Sequence, residues 1–244
     1  QMGRMKDGTW VAVFGNGYES ASGKAVLYVV NLKTGAVIYK KDTGTSSNGL
    51  STPKLLIGAD STIQAAYAGD LKGNLWKFDF LTPNPGDATV VNIAYSGNPM
   101  FSATDSTTGS PLTQPITTQP QLYPHPNNGV LVIFGTGKLF ETSDATSTSV
   151  QTLYGVWDKP STTATVSKTN LVQQTLAKSG GYYSIPSPQV IDWATKRGWY
   201  MTLNVTTSER LVTDPIIFED QVIFTTIIPG TSTDPCISDG LSTT

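Results

Sequence analysis

Short apolar runs of five to eight residues, separated by Gly, Asn, Asp and Pro, recur along the whole chain. Trp10–Phe14 is followed by Gly15-Asn16-Gly17. The run 25–32 ends at Lys33-Thr34-Gly35, and 36–40 follows directly. Two β-rich runs joined by a tight Gly-bearing turn predict a hairpin. The series continues at 65–68, 75–80, 90–95, 130–134, 153–157, 198–205 and 221–227, all of ordinary strand length. Helical periodicity is weak. Only Thr169–Lys178 spaces Leu171, Val172 and Leu176 in a near-helical way, and a strand with one polar face fits it equally well. The pattern predicts an all-β chain.

Two motifs repeat. Val11–Gly17 (VAVFGNG) is echoed by Leu131–Gly137 (LVIFGTG) and more faintly by Val222–Ile228 (VIFTTII). A Leu-aromatic pattern that alternates towards Asp or Asn recurs at Leu27–Leu32, Leu75–Phe80 and Leu153–Asp158. Tyr28 and Trp76 lie 48 positions apart, the spacing of four-stranded propeller blades. Trp76 and Tyr154 lie 78 apart, which fits one blade with insertions or two compact ones. At roughly 45 residues per blade the chain holds about five blades. The stretches Leu81–Asp87, Ser102–Pro120 and Ser143–Ser149 are rich in Ser, Thr and Pro and read as surface loops between blades. No composition shift marks a boundary, so residues 1–244 are expected to form a single domain.

Composition narrows the function classes. Charged residues make up 14% of the 244, against roughly 25% in an ordinary soluble domain. Uncharged polar residues fill the surface instead, a balance common in exported proteins. Net charge is −2 with no basic run, which disfavours nucleic-acid binding. No apolar stretch is long enough to span a membrane as a helix. Both ends, Gln1-Met2-Gly3-Arg4 and Gly240-Leu241-Ser242-Thr243-Thr244, read as cut from a longer chain.

One cysteine, Cys236, and one histidine, His125, exclude a Cys/His zinc site and disfavour a Cys–His nucleophile. In a secreted protein a lone thiol suggests a partner outside the segment; an inert thiol near a strand end accounts for Cys236 equally well. His125, in the proline-flanked turn 123–128, is expected at the surface. Gly15, Gly17, Gly69 and Gly73 lack the Lys-Ser/Thr pair and helix of a phosphate loop and read as turn formers. Asp70 and Asp79 are expected in turn or strand-end hydrogen bonds. The five tryptophans, Trp10, Trp76, Trp157, Trp193 and Trp199, are expected to pack blade against blade. No residues are assigned a catalytic role.

An ordered set of segments resembles one family. Gly15-Asn16-Gly17-Tyr18, Leu27-Tyr28-Val29 and Thr34-Gly35 come first. The block 66–79 (AYAGDLKGNLWKFD) follows, then Leu153–Asp158, Asp214-Pro215, 222–226, Ile228-Pro229 and Asp234-Pro235-Cys236. In this order they resemble the C-terminal domain of the PilC/PilY1 type IV pilus-tip adhesins. The resemblance implies a quinoprotein-like β-propeller, seven-bladed in the family and incomplete here, with four-stranded antiparallel blades. It also implies a non-enzymatic role in pilus assembly and counter-retraction, adhesion, twitching motility or DNA uptake. The implied partners are minor pilins or other pilus components and host-cell or surface ligands, at an extracellular, pilus-tip location.

Many members carry a calcium loop just before the AYAGD block. Placed here, its ligand positions fall on Leu56, Gly58, Asp60 and Gln64 and its glycine on Ser61. Only Asp60 and the amide of Gln64 bring oxygen, a poor set for an ion that takes six to eight oxygens. An Asx-type turn at Asp60 is the expectation, and no cofactor is expected. Two other classes compete. A quinone-dependent dehydrogenase shares the blade pattern but needs calcium beside the quinone, a general-base Asp and usually a vicinal disulfide, against one cysteine here. A BamB-like periplasmic scaffold should lack the AYAGDLKGN block.

Overall fold

The computed structural model describes residues 1–81, 90–105, 111–179, 182–230 and 240–243. Its first sheet runs in chain order: β1 (Met2–Arg4), β2 (Trp10–Gly15), β3 (Lys24–Asn31) and β4 (Val37–Ser46), all antiparallel. The predicted turn after β3 closes on Asn31, whose Oδ1 accepts the backbone N–H of Lys33 at 2.8 Å and of Thr34 at 3.1 Å, with Gly35 at φ +72°. The second sheet repeats the plan with β5 (Lys54–Ile57), β6 (Ile63–Gly69), β7 (Asn74–Leu81) and β8 (Val90–Ile93), and β9 (Phe101–Ser102) adds to β7. A two-stranded ladder of β10 (Thr104–Asp105) and β11 (Leu112–Thr113) leads onward.

The third sheet holds β12 (Gln121–Pro124), β13 (Val130–Gly135), β14 (Gln151–Asp158), β15 (Val172–Gln174) and, after a hairpin of β16 (Ala177–Ser179) and β17 (Tyr182–Ser184), β18 (Gly198–Leu203). Its order is β12-β13-β14-β18-β15, with β15 parallel to β18. A fourth unit opens with the hairpin β19 (Ile216–Phe218) and β20 (Gln221–Ile223), followed by β21 (Thr226–Ile228) paired with β22 (Leu241–Thr243).

The three Leu-aromatic motifs occupy the third strand of successive sheets, β3, β7 and β14. The 78-residue interval is therefore one blade with insertions. The third blade extends from Gln121 to Leu203 because 136–150 and 159–197 intervene between its strands. The count of about five blades is corrected accordingly: three complete sheets and the start of a fourth occupy the described residues. Thr169–Lys178 resolves into a short 3-10 turn (Lys168–Asn170) and the strands β15 and β16. Leu81–Asp87 lies mostly outside the described residues, and Ser143–Ser149 begins in a one-turn helix, Thr142–Ala145.

Each sheet buries both faces wherever it has a neighbour on both sides. In β6 and β7, Ala66, Ala68, Trp76, Phe78 and Phe80 pack on Val11, Val13, Leu27 and Val29 of the first blade. Ala65, Tyr67 and Leu75 pack on Val132, Phe134, Tyr154 and Val156 of the third. Small residues stand opposite large ones across the ladder, Ala66 by Phe78 and Ala68 by Trp76, so the layers interdigitate. The first strands β5, β12 and β19 neighbour one another, as do β4 and β8. This is blade-on-blade stacking of the propeller kind.

One connection recurs at every seam. The second strand of each blade ends in glycine, at Gly15, Gly69 and Gly135, each paired with the leucine that begins the third-strand motif. None of the three has positive φ. They are glycine for want of room: a Cβ would overlap the carbonyl oxygens of Leu50 and Ser51, the side chain of Ile116, and that of Leu211, respectively. Leu50, Ile116 and Leu211 are fully buried and introduce the next blade. Gly17 N–H donates to Leu50 O (2.9 Å), Ile116 N–H to Asp70 O (2.9 Å) and Leu211 N–H to Thr136 O (3.0 Å). Ser102–Pro120, expected to be loop, thus contains a linchpin in Ile116. Gly15→Ala is expected to lose about 1–3 kcal/mol through overpacking against immobile backbone. Urea unfolding measures it, and an unchanged midpoint would show that the close approach is not needed.

Candidate functional site: blade seams and an open sheet face

The AYAGD block is built around Asp70, which is fully buried at the end of β6. Its Oδ1 accepts the backbone N–H groups of Lys72 and Asn74, both at 2.9 Å. Its Oδ2 accepts Asn48 Nδ2 (2.9 Å), Asn74 Nδ2 (3.0 Å) and Trp76 Nε1 (2.7 Å). A carboxylate with five donors has its lone pairs occupied, so Asp70 fixes the β6–β7 turn and ties it to the segment leaving the first blade. Gly73, at φ +80°, closes that turn where a Cβ would strike the Ala103 and Gln114 carbonyls.

A second buried polar group joins blades two and three. Asp158, at the end of β14, accepts Tyr67 Oη (2.6 Å) and Lys77 Nζ (3.0 Å) on Oδ2 and Tyr95 Oη (2.5 Å) on Oδ1. Lys77 also reaches Asp79 Oδ1 at 3.3 Å. Burial alone would lower the Lys77 ammonium, but Asp158 and Asp79 hold it above its ordinary value. Burial, reinforced by the Asp158 carboxylate, pushes the Tyr67 and Tyr95 phenols well above theirs, so both remain donors. Tyr67, Lys77 and Asp79 come from the most recognisable sequence block, and Asp158 closes the third Leu-aromatic motif. Their common role is to satisfy one another between two sheets, where removing one member would strand a buried charge.

The loop before the AYAGD block is an Asx turn. Asp60 Oδ1 accepts Thr62 N–H (3.1 Å), Thr62 Oγ1 (2.7 Å) and Gln64 Nε2 (3.3 Å). These bonds, those from Thr62 foremost, hold the Asp60 carboxyl below its ordinary value. Gln64 turns its amide nitrogen, not its oxygen, towards Asp60. Asp60 is the only carboxylate of the segment 56–64 and its Oδ1 already accepts three donors, a poor match to the six to eight oxygens that calcium takes. Among the described residues no group of three or more His, Cys, Asp or Glu could hold a metal ion. Cys236 lies outside the described residues.

His125 departs from its surface expectation. The turn is where it was placed, but the imidazole is 6% exposed. It stacks on Trp157 at 4.0 Å between centroids and meets the edge of Trp193 at 4.4 Å. Its Nδ1 accepts Asn127 N–H at 3.1 Å. The tryptophans also divide. Trp76 and Trp157 are core residues with bonded indole nitrogens, the latter donating to Asn128 O at 2.8 Å, whereas Trp193 and Trp199 are half-buried. Trp10 corrects the packing expectation: it is 59% exposed. Among the described residues no blade covers its face of the first sheet. There Met2 lies open and Phe14 stacks on Tyr28 at 5.6 Å, with Lys40 Nζ 5.6 Å from the Tyr28 ring. In the aligned repeats, Phe14 and Tyr28 correspond to Ala68 and Trp76 and to Phe134 and Tyr154, all buried against the preceding blade. Neither the open face nor the buried histidine carries a signal at the level of single-residue type.

Stacked four-stranded sheets whose buried polar groups serve the seams define a β-propeller scaffold. The sequence profile of the PilY1 beta-propeller domain matches residues 1–182. The type IV pilus biogenesis factor PilY1 of Pseudomonas aeruginosa PAO1 is 36% identical over 282 residues, covering 98% of this chain and 24% of that protein. A PilY1 homolog of Xylella fastidiosa is 30% identical over 260 residues, covering 97% of this chain and 17% of that protein. The crystal structure of the P. aeruginosa PilY1 C-terminal domain superposes with a TM-score of 0.78 at 34% identity, covering 94% of this chain and 55% of that one. This chain belongs to the PilY1 β-propeller domain family, and it spans about a quarter of the length of the curated P. aeruginosa relatives. No helix of the described residues is long and apolar enough to cross a membrane.

Burial holds the His125 imidazole below its ordinary 6.5. The unfolded chain therefore binds the proton first as pH falls, and stability declines from about pH 6.5 downward until the folded-state pKa is passed. Thermal unfolding between pH 7 and 5 is expected to show this slope, and His125→Phe to flatten it. Equal slopes in the two proteins would assign the titration elsewhere.

Proposed function

We propose that this domain is a non-catalytic binding scaffold of a type IV pilus system, acting at the cell surface or pilus tip on pilus components. The observation that carries the reading is similarity to PilY1 pilus biogenesis factors along nearly the whole chain, including the block built around Asp70. The chemistry of the seams supports it: Asp70, Asp158 and Lys77 have their bonding capacity taken up by neighbours, which leaves them structural. In this reading minor pilins are the partners in assembly and counter-retraction. Adhesion, twitching motility and DNA uptake follow from having pili, and no calcium or other cofactor takes part.

Excising residues 1–244 in frame from the parent gene tests the reading. Surface pili counted by electron microscopy, and twitching with them, are expected to fall sharply. Asp60→Ala in the intact protein is expected to leave both unchanged, with or without calcium. Normal piliation and adhesion in the excised strain would overturn the scaffold role; calcium-dependent loss in the Asp60 variant would overturn only the metal-free part.

A further inference from the structure

A polar groove crosses the rim where blades two and three meet. One part, about 720 Å³, is walled by Ser96, Asn98, Ser102, Thr163, Thr165 and Ser167. The other, about 450 Å³, reaches Gln173, Tyr200 and Thr202. Lys168 lines both. The rest of the lining is mostly hydroxyl and amide, with the Tyr95 and Tyr200 rings, the buried Asp105 carboxylate and the small apolar contributions of Pro99, Val166 and Leu171, and it lacks the deep apolar pockets that side-chain anchors of a peptide require. Strand addition is closed off as well, because the backbone here is already paired: Phe101 bridges Val166, and Val166 N–H donates to Met100 O at 2.8 Å.

Two features show that the groove is built. The first is its wall at 95–97, where Tyr95 (φ 53°), Ser96 (φ 56°) and Gly97 (φ 83°) stand consecutively in left-handed conformation. L-residues adopt that conformation rarely, and such outliers gather at ligand-binding sites. The turn is held from beneath by the Tyr95–Asp158 bond and from the side by Asn98 N–H on Tyr95 O at 3.1 Å. The second is Lys168. Its backbone is fixed by Ser167 and Asn170, whose side chain accepts Ser167 N–H at 2.9 Å and Ser167 Oγ at 2.8 Å. Its Nζ donates to Thr104 O at 2.8 Å and lies 4.9 Å from the centre of the Tyr200 ring. Among the described residues no carboxylate comes within ion-pairing distance of that ammonium, although Asp105 lies near enough to act on it through space. An ammonium has three donors, and among the described residues this one has a single oxygen partner.

We propose that this groove binds acidic saccharides, with a sugar carboxylate on Lys168, hydroxyls on the Ser/Thr/Asn wall and a ring face towards Tyr200. An ammonium with no carboxylate at ion-pairing distance among the described residues favours an anion, and a trough lined mainly by hydroxyls, without deep apolar anchors, favours a polyol over a peptide. The inference is independent of the pilus role.

Binding of oligogalacturonate, a neutral maltooligosaccharide of equal length and poly-glutamate to the 244-residue chain, measured by calorimetry, tests the proposal. Oligogalacturonate is expected to bind at millimolar or better affinity, more weakly as salt is raised, and the neutral sugar much less. Lys168→Ala is expected to weaken it about tenfold or more, the loss that follows removal of one charge-assisted hydrogen bond. Thr165→Trp should block the trough, while Lys178→Ala, outside the groove, leaves binding intact. Circular dichroism melting checks that each variant is folded. Equal binding of acidic and neutral sugars, tighter binding of poly-glutamate, no binding at all, or a folded Lys168→Ala with unchanged affinity would each overturn it.

Discussion

Stacked sheets stay in register only if each incoming strand is placed against the sheet before it. Here that placement falls on a backbone-close contact between the end of one blade's second strand and the segment leading into the next. Leu50, Ile116 and Leu211 each make the contact, and the glycine beneath each leaves no space for a methyl group. The same segments then pair forward with their own blade, Leu50 with Asp70, Ile116 with Gly137 and Arg210 with Ile227. Each blade is thus pinned both to its predecessor and to itself at one point, and the apolar faces follow.

The charged residues follow from this arrangement. A seam between two sheets excludes water, so any polar group there needs a partner. Asp70 and Asp158 supply oxygens that collect the indole, amide, phenol and ammonium groups falling at the seams. These buried charged side chains act as fasteners between sheets, the hydrogen-bonding role expected of Asp70 and Asp79. Surfaces able to meet a partner are left at the rims.

Much of this was legible in the sequence. The third-strand motifs marked the same strand in the three complete sheets, and Gly35 and Asp70 acted in turns as their types suggest. The number of blades was not legible, because mean blade length cannot reveal that the third carries 136–150 and 159–197 between its strands. Ile116 was hidden in a stretch whose composition reads as loop: one buried side chain does the work, and the surrounding Ser, Thr and Pro mask it. His125 looked exposed because a proline-flanked turn says nothing of the indole rings that cover it. Trp10 looked buried because propeller tryptophans usually pack between blades, and the sequence of a blade does not say whether a neighbour is present. The shortage of carboxylates around Asp60 and Gln64 was visible in the sequence; the bond from the Gln64 amide to Asp60 was not.

The seam contacts can be tested by native-state hydrogen exchange, read by NMR at single amides. The amides of Gly17, Ser51, Ile116 and Leu211 are expected to exchange only through global unfolding, with the protection of the central strands β6 and β14. Rapid local exchange at these four amides, with the strands still protected, would mean that the blades are held by their apolar faces alone and would contradict the account.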